Sequence, residues 1–154
     1  FTHLKSRSMK KLPNTVRRPL TKAYLTDLTY KINGAAIEVH KILGPGLLEK
    51  TYHACMIYEL AARKIPFQSE FEIPFTYKGE SIPLNFRCDF YIEDLLVVEL
   101  KAAEATLPIH EAQLITYMKL LKAPKGILIN FNVTNLYYSG HKTYVNHYFD
   151  QLPD

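Results

Sequence analysis

The stretch Arg87 to Lys101, RCDFYIEDLLVVELK, decides how this chain is read. Two short apolar runs, Asn85 to Tyr91 and Leu95 to Ala102, flank Ile92-Glu93-Asp94, a pattern that predicts a β-hairpin with a short loop. Successive strand side chains point to opposite faces, so Glu99 and Lys101 share a face with Leu95 and Val97, while Leu96, Val98 and Leu100 fill the other. An acid and a base thus end an otherwise apolar strand. With Ile92 to Asp94 as a three-residue loop, Tyr91 opposes Leu95, Asp89 opposes Val97 and Arg87 opposes Glu99. Asp89, Glu99 and Lys101 then lie on one face, and Cys88, Phe90, Leu96, Val98 and Leu100 form a continuous apolar one. A two-residue loop at Glu93-Asp94 instead pairs Asp89 with Val98 and turns it away. The pattern admits both registers. The odd-length loop is the expectation, because it gathers the polar residues of both strands into one patch.

Working outward, 154 residues with 47% hydrophobic content predict one domain with a single sizeable core. No apolar run approaches the roughly 18 residues of a membrane span. Cys55 and Cys88 sit inside apolar segments without metal-type spacing, so they read as buried free thiols of a reducing, cytoplasmic compartment. The net charge of +4 is unevenly placed. Residues 1–22 hold seven of the 19 basic residues and no acid, which leaves the remainder at −3. The expectation is a basic, flexible arm over 1–22, interrupted by Pro13 and Pro19, ahead of a domain over 23–154. Met9 before two lysines reads as a natural start, and no secretory apolar region follows it.

Leu25, Leu28, Ile32, Ala35, Ala36, Val39, Ile42 and Leu43 recur at three and four residues, which predicts a helix over about 24–43. Gly44-Pro45-Gly46 ends it, and a second helix runs over about 48–64 with Glu49 in its first turn. The pattern then switches to strands at 67–77 and 82–91, with Pro74 and Pro83 marking edges or bulges. After the charged hairpin, a helix spans about 109–122, with Gln113 and Tyr117 one turn apart on one flank. Ile127 to Phe131 reads as a buried strand, and Tyr137 to Val145 as a last edge strand. There is no internal repeat. His110, His141 and His147 lack ligand-like spacing and read as surface residues.

From residue 48 the order is helix, strand, strand, strand, helix, strand, which predicts an α/β fold, a mixed central sheet flanked by helices, with an extra N-terminal helix. This αβββαβ order, with Asp89 on one strand and Glu99-x-Lys101 on the next, resembles the restriction-endonuclease-like or PD-(D/E)xK nuclease superfamily. Gln113 and Tyr117 resemble the Gln-x-x-x-Tyr motif that some of its nucleases carry. Gly46-Leu47-Leu48-Glu49-Lys50-Thr51-Tyr52, with AAIEVHKILGPGLLEKTY, VVELKA, LPIHEAQLITYMKLL and GILINFNV, is similar to the bacterial GxxExxY family over about residues 24–134. One departure is Cys88 where the superfamily's name has proline.

The resemblance implies a Mg²⁺-dependent, or Mn²⁺-dependent, phosphodiester hydrolase acting on nucleic acid, DNA in the first instance. Such chemistry needs charge neutralisation at phosphorus and a hydroxide source near neutral pH, both supplied by a hard cation on oxygen ligands. The implied ligands are Asp89, Glu99, the Leu100 carbonyl and, directly or through water, Glu49. Lys101 would position or deprotonate the attacking water, Gln113 would orient that water or Lys101, and Tyr117 would hold the substrate backbone. Arg87 and His40 would touch phosphate or brace Glu99 and Glu49. The rival reading of the cluster is a metal-free ion-pair network of Arg87, Glu99, Lys101 and Asp89; the rival functions are a catalytically inactive module of the same fold that binds nucleic acid or a protein, and a metal-dependent hydrolase of another phosphorylated substrate. A homodimer is compatible with so small a domain.

Overall fold

A computed structural model of the chain describes residues 19–154. The expected arm lies outside the described residues as far as Arg18. Helix α1 (Lys22–Leu43) begins where the Thr21 hydroxyl accepts the Tyr24 N–H at 3.0 Å, a side-chain cap on the first turn. It buries Leu25, Leu28, Ile32, Ala35, Ala36 and Val39 of the stripe seen in the sequence, while Ile42 in its last turn is 69% exposed and Leu43 only partly buried. It stops at Gly44, whose φ of 68° and ψ of −175° belong to a region that only glycine enters readily. Helix α2 (Glu49–Ala62) follows after the turn. Among the described residues, no helix is long and apolar enough to cross a membrane.

The sheet has five strands, β1 (Phe67–Glu72), β4 (Arg87–Ile92), β5 (Leu96–Lys101), β6 (Lys125–Asn130) and β7 (His141–Val145), in that spatial order. All neighbours are antiparallel except β5 and β6, which run parallel across α3 (Pro108–Leu121). The long strands expected before the hairpin are shorter. Pro74 and Pro83 cannot donate to a ladder, and the chain between β1 and β4 forms only a two-residue pair, β2 (Thr76–Tyr77) with β3 (Glu80–Ser81). The last expected strand is likewise preceded by a short helix, α4 (Leu136–Ser139), and the tail adds α5 (His147–Asp150). The result is the α/β architecture with a mixed sheet and flanking helices that the sequence order predicts.

Two apolar layers sandwich the sheet. On one side, α1 and α2 cover Phe90, Ile92, Leu96, Val98, Leu100, Ile127 and Ile129. On the other, Leu114, Tyr117 and Met118 of α3 cover Cys88, Tyr91, Val97 and Leu128. Helix α3 lies close because β6 presents Gly126: a Cβ there would sit 2.6 Å from Met118 Sδ and 3.0 Å from Leu114 Cδ1. Strand β5, central in the sheet, is buried on both faces from Leu96 to Leu100.

The hairpin loop is odd in length, but displaced. Ile92 pairs with Leu96, Tyr91 with Val97 and Phe90 with Val98, so the loop is Glu93 to Leu95 and the register lies two residues from the expected one. The left-handed turn positions fall on Glu93 (φ 53°) and Asp94 (φ 56°); a β-branched Ile92 would be strained there and remains a buried strand residue.

A second departure matters more. Cys88 does not join Phe90 on the α1/α2 face; it packs with Tyr91 and Val97 beneath α3. Strand β1 changes face at the same level, with Phe67 in the first layer and Phe71 against the second. Both strands turn over where Glu70, at φ 51°, faces Asp89, the one rung missing from a β1–β4 pairing that is otherwise continuous in register.

Candidate active site

At the level of that turnover the β4–β5 pairing also ends, and two carboxylates fill the gap. The Asp89 N–H donates to Glu99 Oε1 at 3.1 Å, and the Leu100 N–H donates to Asp89 Oδ2 at 2.7 Å. Each strand's main chain is thus satisfied by the other strand's acid, where the described β4–β5 pairing has ended. The Lys101 carbonyl accepts the Phe131 N–H at 2.9 Å, so Lys101 directs its backbone toward β6. Groups of alternate strand residues point to opposite edges, hence the Leu100 carbonyl faces the same gap as its N–H.

Electrostatics at the gap are unbalanced. Glu99 is 5% exposed, and burial, with the charges of Asp89 and Glu49 adding to it, pushes its carboxyl up to about 8; the Asp89 N–H and Lys101 oppose the shift. Glu49, exposed in the first turn of α2, is also raised, first by partial desolvation and then by Asp89, against Lys101 and His53. Three acids therefore feel one another around a single lysine, and Lys101 makes no ion pair within 4.0 Å among the described residues.

Glu49 reaches this place through the Gly-Pro-Gly turn and Tyr52. The Tyr52 hydroxyl donates to the Gly44 carbonyl at 2.6 Å and accepts the Leu47 N–H at 3.1 Å, while its ring stacks on Phe131 with centroids 4.4 Å apart. Gly46 supplies a φ of 98° between them. In the Gly46-x-x-Glu49-x-x-Tyr52 segment, the glycine and tyrosine therefore fold the turn that aims the glutamate.

From the other face, Tyr117 is 5% exposed, with the Gln113 side chain near its hydroxyl. Its pKa is raised by burial, then by Glu99, Cys88 and Asp89, so α3 brings Gln113 and Tyr117 to the same acids. Cys88 beneath is buried, its thiol held well above its usual range by that burial.

Two expected contacts are not made. Arg87 is exposed and its Nε donates to Asn85 Oδ1 at 2.8 Å; the displaced register removes its pairing with Glu99. His40 is buried with Nε2 2.7 Å from the Val133 carbonyl, so it braces the segment after β6 and not Glu49.

Two residues at the site escaped the sequence reading. His53, 9% exposed, follows Glu49 by one helical turn and places Nδ1 3.4 Å from Asp89 Oδ1. The Glu49/His53 spacing was its only signal. Asn130, 5% exposed at the end of β6, uses Oδ1 to accept the Ala103 and Asn132 N–H groups and Nδ2 to donate to the Ala103 carbonyl. It thereby fixes the chain just beyond Lys101, and a lone Asn in an apolar strand gave no hint of this. His110, expected at the surface, is partly buried and accepts the Leu107 N–H at the start of α3.

Among the described residues, no three His, Cys, Asp or Glu side chains converge to hold a metal ion by themselves. Two carboxylates beside the Leu100 carbonyl are nevertheless a donor set suited to a hard dication that retains several waters. No curated protein and no solved structure significantly matches the chain. The family model of the PD-(D/E)XK nuclease superfamily matches residues 26–142, most of the chain and all of the elements that build this gap, and the chain belongs to that superfamily.

Proposed function

We propose that this protein is a Mg²⁺-dependent nuclease, or one using Mn²⁺, that hydrolyses phosphodiesters of DNA, within a single domain over residues 23–154 of the GxxExxY type. The observation that carries the proposal is the under-compensated acid cluster. The alternative, a self-satisfied ion-pair network, needs Arg87 among the acids, and Arg87 is elsewhere. A dication at the gap would supply both the missing positive charge and water activation near neutral pH. Asp89, Glu99 and the Leu100 carbonyl would hold it, with Glu49 through water.

Lys101, free of ion pairs among the described residues, would orient the attacking water and offset the charge that grows on the phosphoryl oxygens. Gln113 would align that water, and Tyr117, 5% exposed one turn along the same helix, would brace Gln113 instead of holding the substrate backbone. The leaving oxygen takes its proton from solvent. A panel of single- and double-stranded DNA and RNA, incubated with Mg²⁺ or Mn²⁺, tests the reading. Asp89→Asn, Glu99→Gln and Lys101→Ala should each abolish cleavage in a folded chain; wild-type cleavage by all three would sink it. A second reading, an inactive binding module, draws on the −3 balance of residues 23–154, which offers duplex DNA little attraction of its own. Binding without cleavage across the panel would favour it.

A further inference from the structure

The geometry points to His53 as a positioning residue that sets the plane of the Asp89 carboxylate for a divalent cation, an inference that rests on the cation reading above. Both Asp89 oxygens have a neighbour on the protein: Oδ2 accepts the Leu100 N–H at 2.7 Å, and Oδ1 lies 3.4 Å from His53 Nδ1. The second separation is longer than a formed hydrogen bond and leaves room for the contact to tighten when the carboxylate is drawn toward a cation. His53 is itself held on two sides. Its Nε2 lies 2.9 Å from Ser69 Oγ, and its ring stacks on Phe90 with centroids 4.5 Å apart and planes 21° from parallel.

A ring nitrogen facing a carboxylate keeps its hydrogen, so Nδ1 is the N–H and Nε2 accepts from the Ser69 hydroxyl. Ser69 holds this place because β1 turns over only at Glu70, one residue later. The chain Ser69, His53, Asp89 has the residue types of an acyl-transfer triad, but Nδ1 stands 3.4 Å from the carboxylate and the imidazole is 9% exposed between α2 and the sheet, wedged there as a brace. What remains is an oriented donor behind a ligand, an arrangement that typically governs metal affinity by about 10- to 100-fold.

Mn²⁺ uptake by the intact chain, read by electron paramagnetic resonance without nucleic acid, tests this directly. His53→Phe keeps a ring on Phe90 and loses the donor; Mn²⁺ should bind at least about 10-fold more weakly with the metal-free melting temperature preserved. His53→Asn restores an N–H near the Nδ1 position and should recover most of that loss, which a purely packing role would not allow. Wild-type affinity in His53→Phe overturns the role of His53 and leaves the cation site standing. A wild-type chain that takes up no Mn²⁺ removes the cation site and this role together. Should His53→Phe fail to fold, ¹⁵N spectra of the wild-type imidazoles decide: an Nδ1–H tautomer for His53 supports the assignment, and an Nε2–H tautomer overturns it.

Discussion

Replacing Glu99 by glutamine should make the metal-free protein more stable above neutral pH while destroying its affinity for a dication. Glutamine keeps the Oε1 acceptor for the Asp89 N–H at nearly the same shape, and it cannot ionise. In the wild type, folding raises the Glu99 pKa from 4.5 to about 8, through burial first and the Asp89 charge second. Between those values the unfolded chain has released a proton that the folded chain still holds. Stability therefore falls as pH rises through that window and levels off above it.

At about 1.4 kcal/mol per pH unit, the loss is on the order of a few kcal/mol for a side chain this buried, and the glutamine variant escapes it. Urea unfolding of both proteins in a chelator, from about pH 4 to pH 9, reads the effect as a difference, so that groups common to both cancel. The stability of Glu99→Gln relative to wild type should climb across the window and then plateau. A difference that stays flat, or that moves in favour of the wild type, refutes the assignment of Glu99 as a desolvated acid beside another acid. Adding Mg²⁺ at about 100 times its dissociation constant should stabilise the wild type by about 2.7 kcal/mol and leave the variant unmoved.

Tyr52→Phe removes only the hydroxyl that ties the Gly44 carbonyl to the Leu47 N–H; losing two part-buried hydrogen bonds should cost about 1–3 kcal/mol, a melting-temperature drop of several degrees, and weaken the placement of Glu49. A melting temperature within a degree of wild type would mean that the turn stands without its clip. Asn130→Ala leaves the Ala103 and Asn132 N–H groups and the Ala103 carbonyl without their partner, so unfolding experiments should show a loss of about 2–4 kcal/mol, with Asn130→Asp milder because it still accepts both N–H groups.

The helices and their faces were legible in the chain because they depend on neighbours three and four residues away, as the α1 stripe from Leu25 to Val39 shows. The turn at Gly44-Pro45-Gly46 was legible for the same local reason: few residues accept its backbone angles. Asp89, Glu99 and Lys101 stood out as charges inside apolar strands. The hairpin register was less secure, since alternation fixes parity and not pairing; the odd loop was anticipated, yet the pairing lies two residues away.

By itself, then, the sequence determined the main helices and strands, their order and the acids and lysine set inside apolar strands, all of them properties of short windows of chain, while the shortened strands before β4 and the short helices α4 and α5 were not among them. Only the tertiary structure decided where β1 and β4 turn over at Glu70 and Asp89, that Cys88 lies under α3, that Arg87 stands apart, that His53 lies beside Asp89 and that Asn130 ties down the chain after Lys101. The physical reason is reach. These arrangements join residues as far apart as Ala103 and Asn130, or His53 and Asp89, and they form only when strands from distant parts of the chain pair and must satisfy the hydrogen-bonding groups that they bury together.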